Sequence, residues 1–559
     1  MISRRGRRDD CPLLVFGSCF ISTCHRKVEC GSNHFFSLAA DFNIRGKSGI
    51  RSRAVVANVQ PIRIFMKILL VNPDTPNTFW SLKNALRFIS KKAMLPPLGL
   101  LTVAAMLPKE WPKRLVDMVA TKLRDRDIRW ADYVFITGMF IQRHSARRVI
   151  ERCKKLGKPV VAGGPLFTMV PEDFPEVDHF VLNEAEITLP PFLKDLANGT
   201  TQRIYKAKQF ADLKGSPTPL LELANMRNYA VMAVQYSRGC PFNCDFCDVT
   251  TMFGHQMRTK TKEQMLEELD SIYSAGWRGS VFVVDDNFIG NKRELKQEIL
   301  PAIIEWMEKR KYPFFFNTQT SINLADDEEL MRLMVDAGFD CVFVGIESAN
   351  EASLTECNKV QNTGRNLVEC VKKIQSFGMQ VQGGFILGFD SDKGPIFENL
   401  IKFIQQSGIV TAMVGLLNAP RGTQLYKRLM QENRLLKNPT GDNTDFSMNF
   451  VPKMRYEDLI NGYRKVVRTI YSHKYHYERI LTFLKNYRLS PKIRARGTYS
   501  TVKAFIKSIW LLGIVNRGRI YYWKLIFWSL RHPRHFNVAV TLLIYGFHFR
   551  KVFNDPAGA

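Results

Sequence analysis

The sequence predicts an α/β protein. A doubly wound parallel sheet comes first, a partial (β/α)6 barrel next, and a helical extension last. Three observations predict it. From Met66 onward, short apolar runs alternate with helix-length segments, as in parallel strands joined by crossover helices. Past residue 230, six further strand–helix units follow, too few to close an eight-strand barrel. Beyond residue 440 the strands stop and a basic, aromatic-rich stretch takes over. A chain of 559 residues, 45% hydrophobic, has material for roughly three to four domains.

The expected boundaries are 1–65, 66–205, 206–440 and 441–559. The first segment reads as an extension that is disordered or not native to the folded protein. Arg4, Arg5, Arg7 and Arg8 precede the apolar stretch Cys11–Thr23, imitating a signal peptide. His25, Arg26 and Lys27 then follow without a small-residue cleavage site. The spacing of Cys11, Cys19, Cys24 and Cys30 matches no defined metal site. Met66-Lys-Ile-Leu-Leu-Val-Asn-Pro73 opens the first clean strand.

In residues 66–205, strands are expected at Ile68–Val71, Leu115–Val119, Tyr133–Thr137, Pro159–Ala162 and Phe180–Leu182. Helices between them include Leu98–Met106 and Ala146–Lys155. Ligands of such sheets sit at the carboxyl ends of the strands. Those ends carry Asn72-Pro73, Thr137-Gly138-Met139, Gly163-Gly164-Pro165 and Asn183-Glu184-Ala185-Glu186. Glycines there are expected to let backbone approach a bulky ligand.

In residues 206–440, strands are expected near Ala233–Tyr236 and at Ser280–Val284, Phe314–Gln319, Cys341–Ile346, Val381–Leu387 and Thr411–Leu417. Helices are expected at Thr261–Ala275, Arg293–Arg310, Asp327–Ala337, Asn366–Phe377 and Ile396–Ser407. One more helix is expected over Phe446–Leu481, with Tyr463, Val466, Val467 and Ile470 on its apolar stripe.

The run Arg238-Gly-Cys-Pro-Phe-Asn-Cys-Asp-Phe-Cys247 places Cys240, Cys244 and Cys247 in a C-x3-C-x2-C spacing. Structural zinc takes four ligands, usually as paired C-x2-C or a Cys/His set. No second pair lies nearby, and His255 is a weak fourth. Three thiolates suit a [4Fe-4S] cluster with one open iron. The loop, with Arg238-Gly239 leading in and Phe246 before the third cysteine, resembles the radical S-adenosylmethionine (SAM) enzymes. The resemblance implies that Cys240, Cys244 and Cys247 ligate the cluster and that SAM chelates the open iron.

The same resemblance gives roles to the strand ends that follow. Val283-Val-Asp-Asp-Asn-Phe288 occupies the position that contacts the methionyl amine, which makes Asp285, Asp286 and Asn287 SAM acceptors. Glu347, in Gly345-Ile-Glu-Ser348, accepts from the SAM ribose or amine. Gly384-Phe-Ile-Leu-Gly388 resembles the family's G-x-I-x-G element, with Gly384, Ile386 and Gly388 against adenine, and Phe246 completes the SAM set. Asn418-Ala-Pro-Arg-Gly-Thr423 ends the sixth strand. Taken singly, acids at strand ends also serve as helix N-caps.

Residues 66–205 resemble the cobalamin-binding, Rossmann-like domain found ahead of many radical SAM domains. The resemblance makes Asn72, Thr137, Gly138, Met139, Gln142, Gly163, Gly164 and Glu184 cobalamin contacts. The D-x-H-x-x-G motif is absent, and its neighbourhood reads Gly138-Met-Phe-Ile-Gln-Arg-His144. The lower cobalt face is therefore expected to lack histidine, with His144 at a helix start. The alternative is a partner- or nucleotide-binding module without cobalamin.

Charge is uneven. The net charge is +28; residues 1–65 hold 11 Lys/Arg against 4 Asp/Glu, and residues 480–559 hold 14 against 1. No nucleic-acid fold accompanies the basic ends, so nucleic acid is not the expected partner. Trp510, Trp523 and Trp528 lie among Tyr521, Tyr522, Phe527 and basic residues, a composition suited to a membrane–water interface. No apolar run reaches the roughly 20 residues needed to span a bilayer. The alternative for these aromatics is packing on the barrel.

Residues 66–559 are similar to the hopanoid C-2 methylase subfamily of cobalamin-dependent radical SAM enzymes, especially in Arg258-Thr-Lys-Thr-Lys262 and Gly276–Lys292. The resemblance implies reductive cleavage of SAM, hydrogen abstraction from the substrate and methyl transfer from cobalamin, with a second SAM remethylating cobalt. The expected activity is C-methylation of an unactivated carbon in a hydrophobic, hopanoid- or lipid-like substrate. The partners are a reductase, flavodoxin or ferredoxin as electron donor, and a peripheral membrane contact. Reduced thiols place the enzyme in the cytoplasm, at the inner membrane face where it is peripheral. The rivals are radical rearrangement or cyclisation without net methylation, and a non-catalytic Fe–S sensor or scaffold.

Overall fold

The computed structural model describes residues 65–436, 440–442, 444–489, 492 and 499–554. Cys11, Cys19, Cys24 and Cys30 lie outside the described residues.

The first sheet has six strands: β1 (Ile68–Asn72), β2 (Lys113–Asp117), β3 (Tyr133–Ile136), β4 (Val160–Gly163), β5 (His179–Val181) and β6 (Ile204–Tyr205). Their order is β2-β1-β3-β4-β5-β6, all parallel. Alternation of side chains along β1 feeds two cores. Leu69 and Val71 pack with Val149, Ile150 and Leu166 on one face. Ile68 and Leu70 pack with Leu100, Leu189 and Phe192 on the other. The second strand ends two residues before its expected limit. Asp117 stops it by accepting from the backbone N–H of Val119 and the Asn72 amide.

The second sheet contains β7 (Met232–Val234), then, after the short antiparallel pair β8 (Ser237–Arg238) and β9 (Arg258–Thr259), β10 (Gly279–Val283), β11 (Phe314–Thr320), β12 (Phe339–Glu347), β13 (Gln380–Leu387) and β14 (Ala412–Leu416). Its order is β7-β10-β11-β12-β13-β14, all parallel. This is the partial six-stranded barrel read from the sequence. Its connecting helices start on side-chain caps, Thr261, Asp327 and Asn366 among them. The expected helix Arg293–Arg310 is interrupted by a π turn at Leu295–Ile299. That turn precedes Pro301, whose ring cannot be fitted to a regular α ladder.

The expected helix over Phe446–Leu481 is instead two, Tyr456–Ile470 and His473–Asn486. Ser472 separates them, its hydroxyl accepting from Tyr475 N–H as an N-cap. Further helical segments follow, among them Tyr499–Ser508, Ile509–Val515, Arg519–Arg531 and Phe536–Asn554. The last returns to the start of the fold. Phe549 stacks on Phe79 at 4.2 Å, and the His548 ring lies 3.0 Å from the Phe79 carbonyl. Arg479, fully buried, donates to Gln405 Oε1 at 2.6 Å and to the Ile470 carbonyl at 2.7 Å. Among the described residues, no helix is long and apolar enough to cross a membrane.

Candidate active site

The cysteine loop leaves β8 through Gly239, whose φ is +98° and whose added Cβ would lie 2.5 Å from the Gln256 carbonyl. Only glycine fits that left-handed, crowded position. Cys240 N–H donates to the Gly254 carbonyl at 3.2 Å, and Cys247 N–H to the Cys244 carbonyl at 3.1 Å. The three thiols carry no disulfide; Cys244 is buried and the other two are half-buried. Burial pushes the free Cys247 thiol up to about 12 and raises that of Cys240.

A second loop, after β12, braces the first. The Cys357 carbonyl accepts from Asp245 N–H at 3.0 Å, and Asn358 Nδ2 donates to the Asn243 carbonyl at 2.9 Å. Gln361 Nε2 lies 3.7 Å from Cys244 Sγ, while its Oε1 is buried without a partner. The Asn287 side chain also favours the ionised form of the Cys240 thiol. The Lys359 ammonium pairs with Glu347 at 2.8 Å and exerts its charge on Cys240, Cys244 and Cys247. Sequence reasoning missed this loop. Its signal is the mostly polar run Asn358-Lys-Val-Gln-Asn362, which follows the short helix Glu351–Glu356.

These groups fit a thiolate-held cluster. Amide N–H groups and a cation beside sulfur stabilise the anionic state. Among the described residues, no three His, Cys, Asp or Glu side chains stand close enough for a single metal ion. A cubane differs, since it spreads three thiolates over three irons.

The SAM candidates divide. Asp285, fully buried, is consumed internally. It accepts from Tyr236 N–H at 2.8 Å, Ser237 N–H at 2.7 Å and the Ser237 hydroxyl. Burial pushes its carboxyl up to about 7 against those hydrogen bonds. In these contacts Asp285, expected among the SAM acceptors, clamps the entry to the cysteine loop. Asp286, next along, makes no hydrogen bond or ion pair among the described residues. Burial, and then the Asp248 charge, push it up to about 6. Asn287 Oδ1 accepts from Ser321 N–H at 3.2 Å.

Glu347 adopts φ +63°, a strained conformation for a non-glycine residue, and the Lys359 pair occupies its carboxylate. The Gly345 and Ile346 carbonyls accept from Asn362 Nδ2 at 3.0 and 2.9 Å. Phe246 and Ile386 meet in one apolar cluster with Phe389 and Leu417. The glycines of the G-x-I-x-G element answer to the protein's own packing. A Cβ on Gly384 would meet the Phe343 ring at 2.8 Å. Gly388, at φ +106°, donates its N–H to Asp392 at 2.8 Å.

Side chains at the first sheet's carboxyl edge also bond to one another. Gln142 Nε2 donates to the Pro73 carbonyl at 2.6 Å and to Asn72 Oδ1 at 3.2 Å, and its Oε1 accepts from Met139 N–H at 2.9 Å. Asn72 and Gln142 thus knit loops together, and their side chains are committed. Gly163 and Gly164 are small because of Val181 and Thr137: added Cβ atoms would lie 2.7 Å from the Val181 carbonyl and 2.3 Å from Thr137 Oγ1. Gly138 packs the same way on Leu166. Met139 is exposed, at 54%. His144 sits exposed in the first turn of helix Arg143–Lys155.

Glu184, expected among the cobalamin contacts, has its carboxylate engaged within the protein. Buried, it accepts from Arg238 at 2.9 Å, from Arg258 at 2.8 Å and from Ala211 N–H at 2.8 Å. Glu186 pairs with the same Arg238 at 2.9 Å. Burial favours the neutral acid, but Arg238 outweighs it and holds Glu186 below the usual range. These carboxylates join the carboxyl edge of the first sheet to the cysteine loop of the second. The open group at that edge is Asn183, at φ +64°, whose buried Oδ1 has no partner. An orphaned polar atom at a strand end fits a polar ligand.

Two family models match the chain: the radical SAM superfamily over residues 234–404, and a domain of unknown function, DUF4070, over residues 423–557. An uncharacterised methyltransferase of Synechocystis sp. is 41% identical over 492 residues, covering 87% of this chain and 91% of its own length. The hopanoid C-2 methylase of Rhodopseudomonas palustris is 32% identical over 472 residues, covering 82% of this chain and 88% of its own. Among solved structures, the cobalamin-dependent SAM radical enzyme OxsB, with aqua-cobalamin bound, matches with a TM-score of 0.57 at 15% identity. The match covers 88% of this chain and 80% of that one. TsrM of Kitasatospora setae, with cobalamin and a [4Fe-4S] cluster bound, matches with a TM-score of 0.54 at 13% identity, covering 87% and 99%. At these identities the structural likeness is one of fold.

Proposed function

The chain belongs to the radical SAM methyltransferase family that includes the hopanoid C-2 methylase, and from that premise we propose that it is a cobalamin-dependent C-methyltransferase. Its substrate is an unactivated carbon of a hydrophobic, hopanoid-like lipid. The observation that carries this reading is the joint at Arg238. One guanidinium ties the cysteine loop to Glu184 and Glu186 at the edge of the first sheet, so the two strand-end faces meet.

In this reading Cys240, Cys244 and Cys247 hold the cluster, and Asp286 receives the SAM amine. Asn287, Gln361 and Lys359 surround the sulfurs with donors and positive charge. Phe246 and Ile386 give the adenine side an apolar wall that excludes water. Asn183, Thr137 and the Gly138-Met139 backbone face cobalamin at the other edge. When bound, the cluster, SAM and cobalamin supply one-electron cleavage, hydrogen removal and a transferable methyl group. The electron donor is a reductase, flavodoxin or ferredoxin, and the enzyme works in the cytoplasm against the inner face of a membrane.

The test is anaerobic reconstitution with both cofactors, a chemical reductant and hopanoid in vesicles. A product heavier by one methyl group is expected. Cys240→Ala, Cys244→Ala and Cys247→Ala should each abolish SAM cleavage, whereas Cys341→Ala and Cys370→Ala should retain it. A product of unchanged carbon count would favour rearrangement or cyclisation. Absence of SAM cleavage by the reduced wild-type protein would favour an Fe–S sensor or scaffold.

A further inference from the structure

We propose that the helical hairpin spanning Thr501–Arg531 is the surface that seats this protein on an anionic lipid bilayer; the proposal rests on the reading of a membrane-borne substrate. Among the described residues, eight of the twenty large apolar side chains that stand exposed fall between 502 and 530. Val502, Ile506 and Trp510 repeat at helical spacing on the first arm, at 55%, 61% and 61% exposure. Ile514 and Val515 continue the stripe into the turn, at 49% and 60%. On the second arm, Ile520, Phe527 and Leu530 are 58%, 56% and 60% exposed.

These side chains are not an inner face left open, because the inner face is already closed. The Ser508 and Tyr522 hydroxyls are 2.9 Å apart, and Trp523 Nε1 donates to the Gly513 carbonyl at 2.9 Å. Gly513 admits that approach, since an added Cβ would lie 2.9 Å from the Tyr522 ring. Trp528 stacks on His532 at 4.1 Å. Of the three tail tryptophans read as interfacial from the sequence, only Trp510 is among the exposed apolar side chains.

Charge selects the occupant. Arg517, Arg519, Lys524, Arg531 and Arg534 are exposed on or beside the same hairpin, and residues 502–534 contain no Asp or Glu. A second copy would bring two all-basic faces together, which costs repulsion. Nucleic acid would leave the apolar stripe facing phosphates. An anionic bilayer meets both features: headgroups take the arginines while Trp510, Ile514 and Phe527 enter the acyl boundary. The hairpin lies in the interface, since no described helix is long and apolar enough to cross.

The experiment uses the full chain and sedimentation with phosphatidylglycerol/phosphatidylcholine vesicles, beside phosphatidylcholine alone. Wild type should bind the anionic vesicles preferentially. Trp510→Ser combined with Ile514→Ser should weaken binding roughly tenfold or more. Arg517→Gln, Arg519→Gln and Lys524→Gln should each weaken it about fivefold. Circular dichroism and Tm should stay unchanged, because every altered side chain is exposed. Variants that bind as wild type does would overturn the hairpin assignment and leave a membrane-borne substrate standing. Wild type that binds no vesicle would overturn both. A concentration-dependent dimer broken by Trp510→Ser, without vesicle binding, would reassign the face to self-association.

Discussion

Lys359 and Gln361 set the environment of the three thiols. A cation and an amide N–H beside thiolate sulfur stabilise the more negative oxidation state, which raises a cluster's reduction potential. Gln361→Leu should therefore lower the midpoint by tens of millivolts, and Lys359→Met by more, where about 59 mV is tenfold in a one-electron equilibrium. A redox titration followed by paramagnetic resonance measures it. Potentials equal to wild type would mean that these side chains do not act on the cluster. The cysteine expectation rested on spacing, which a sequence displays directly. Asp285 and Asp286 were not separable, because adjacent acids look alike in sequence. The alternation of a strand end distinguishes them: one turns back onto Tyr236 and Ser237, and its neighbour is left without a partner. The polar run around Gln361 was visible, but its contact to Cys244 was not, since it bridges 117 positions.

At the level of strands and helices, the buried parallel strands were readable almost to the residue, because they are continuous apolar runs. The misreadings came from local polar chemistry. Ser472 caps a new helix inside an unbroken apolar stripe. The glycines at the first sheet's strand ends were read as ligand clearances; the structure adds that a Cβ there would meet the Val181 carbonyl or the Thr137 hydroxyl. The C-terminal helix carries a testable pH dependence. Burial lowers His548 to about 4, against hydrogen bonding to Phe79. A histidine depressed on folding contributes full stability above its unfolded value, about 6.5, and loses it as pH falls toward 4. The loss should reach about 2 kcal/mol at pH 5. His548→Gln should shrink the drop in Tm between pH 7 and pH 5; an undiminished drop would place the acid sensitivity elsewhere.

Across the molecule, the two sheets were both foreseen, and the manner of their joining was not. No sequence pattern pairs Glu184 with Arg238 and Arg258, since the partners are 54 and 74 positions apart. Glu184→Ala would leave two half-buried guanidinium groups with fewer partners and should cost about 2–3 kcal/mol, read as a fall in denaturation midpoint. A midpoint within error of wild type would mean the joint is not energetically coupled. The other edge offers a spectroscopic test. His144 is exposed on its helix, and Asn183 supplies the open polar atom. Cobalamin bound in the Co(II) state should therefore show no nitrogen hyperfine splitting from an axial ligand. Splitting that vanishes in His144→Ala would refute this.

The contact of His548 with Phe79 spans 469 positions, and its consequence is one of timing. A ribosome delivers the first sheet, then the barrel, and only afterwards the helix that stacks on Phe79. Closing so long a loop is an entropic cost that the intervening barrel must already have reduced. Through most of synthesis, then, Phe79 and the segment leading from β1 stand without their cover, and the last helix acts as a latch on a finished interior. The topology thus sets an order of delivery: the first sheet, then the barrel, then the latch.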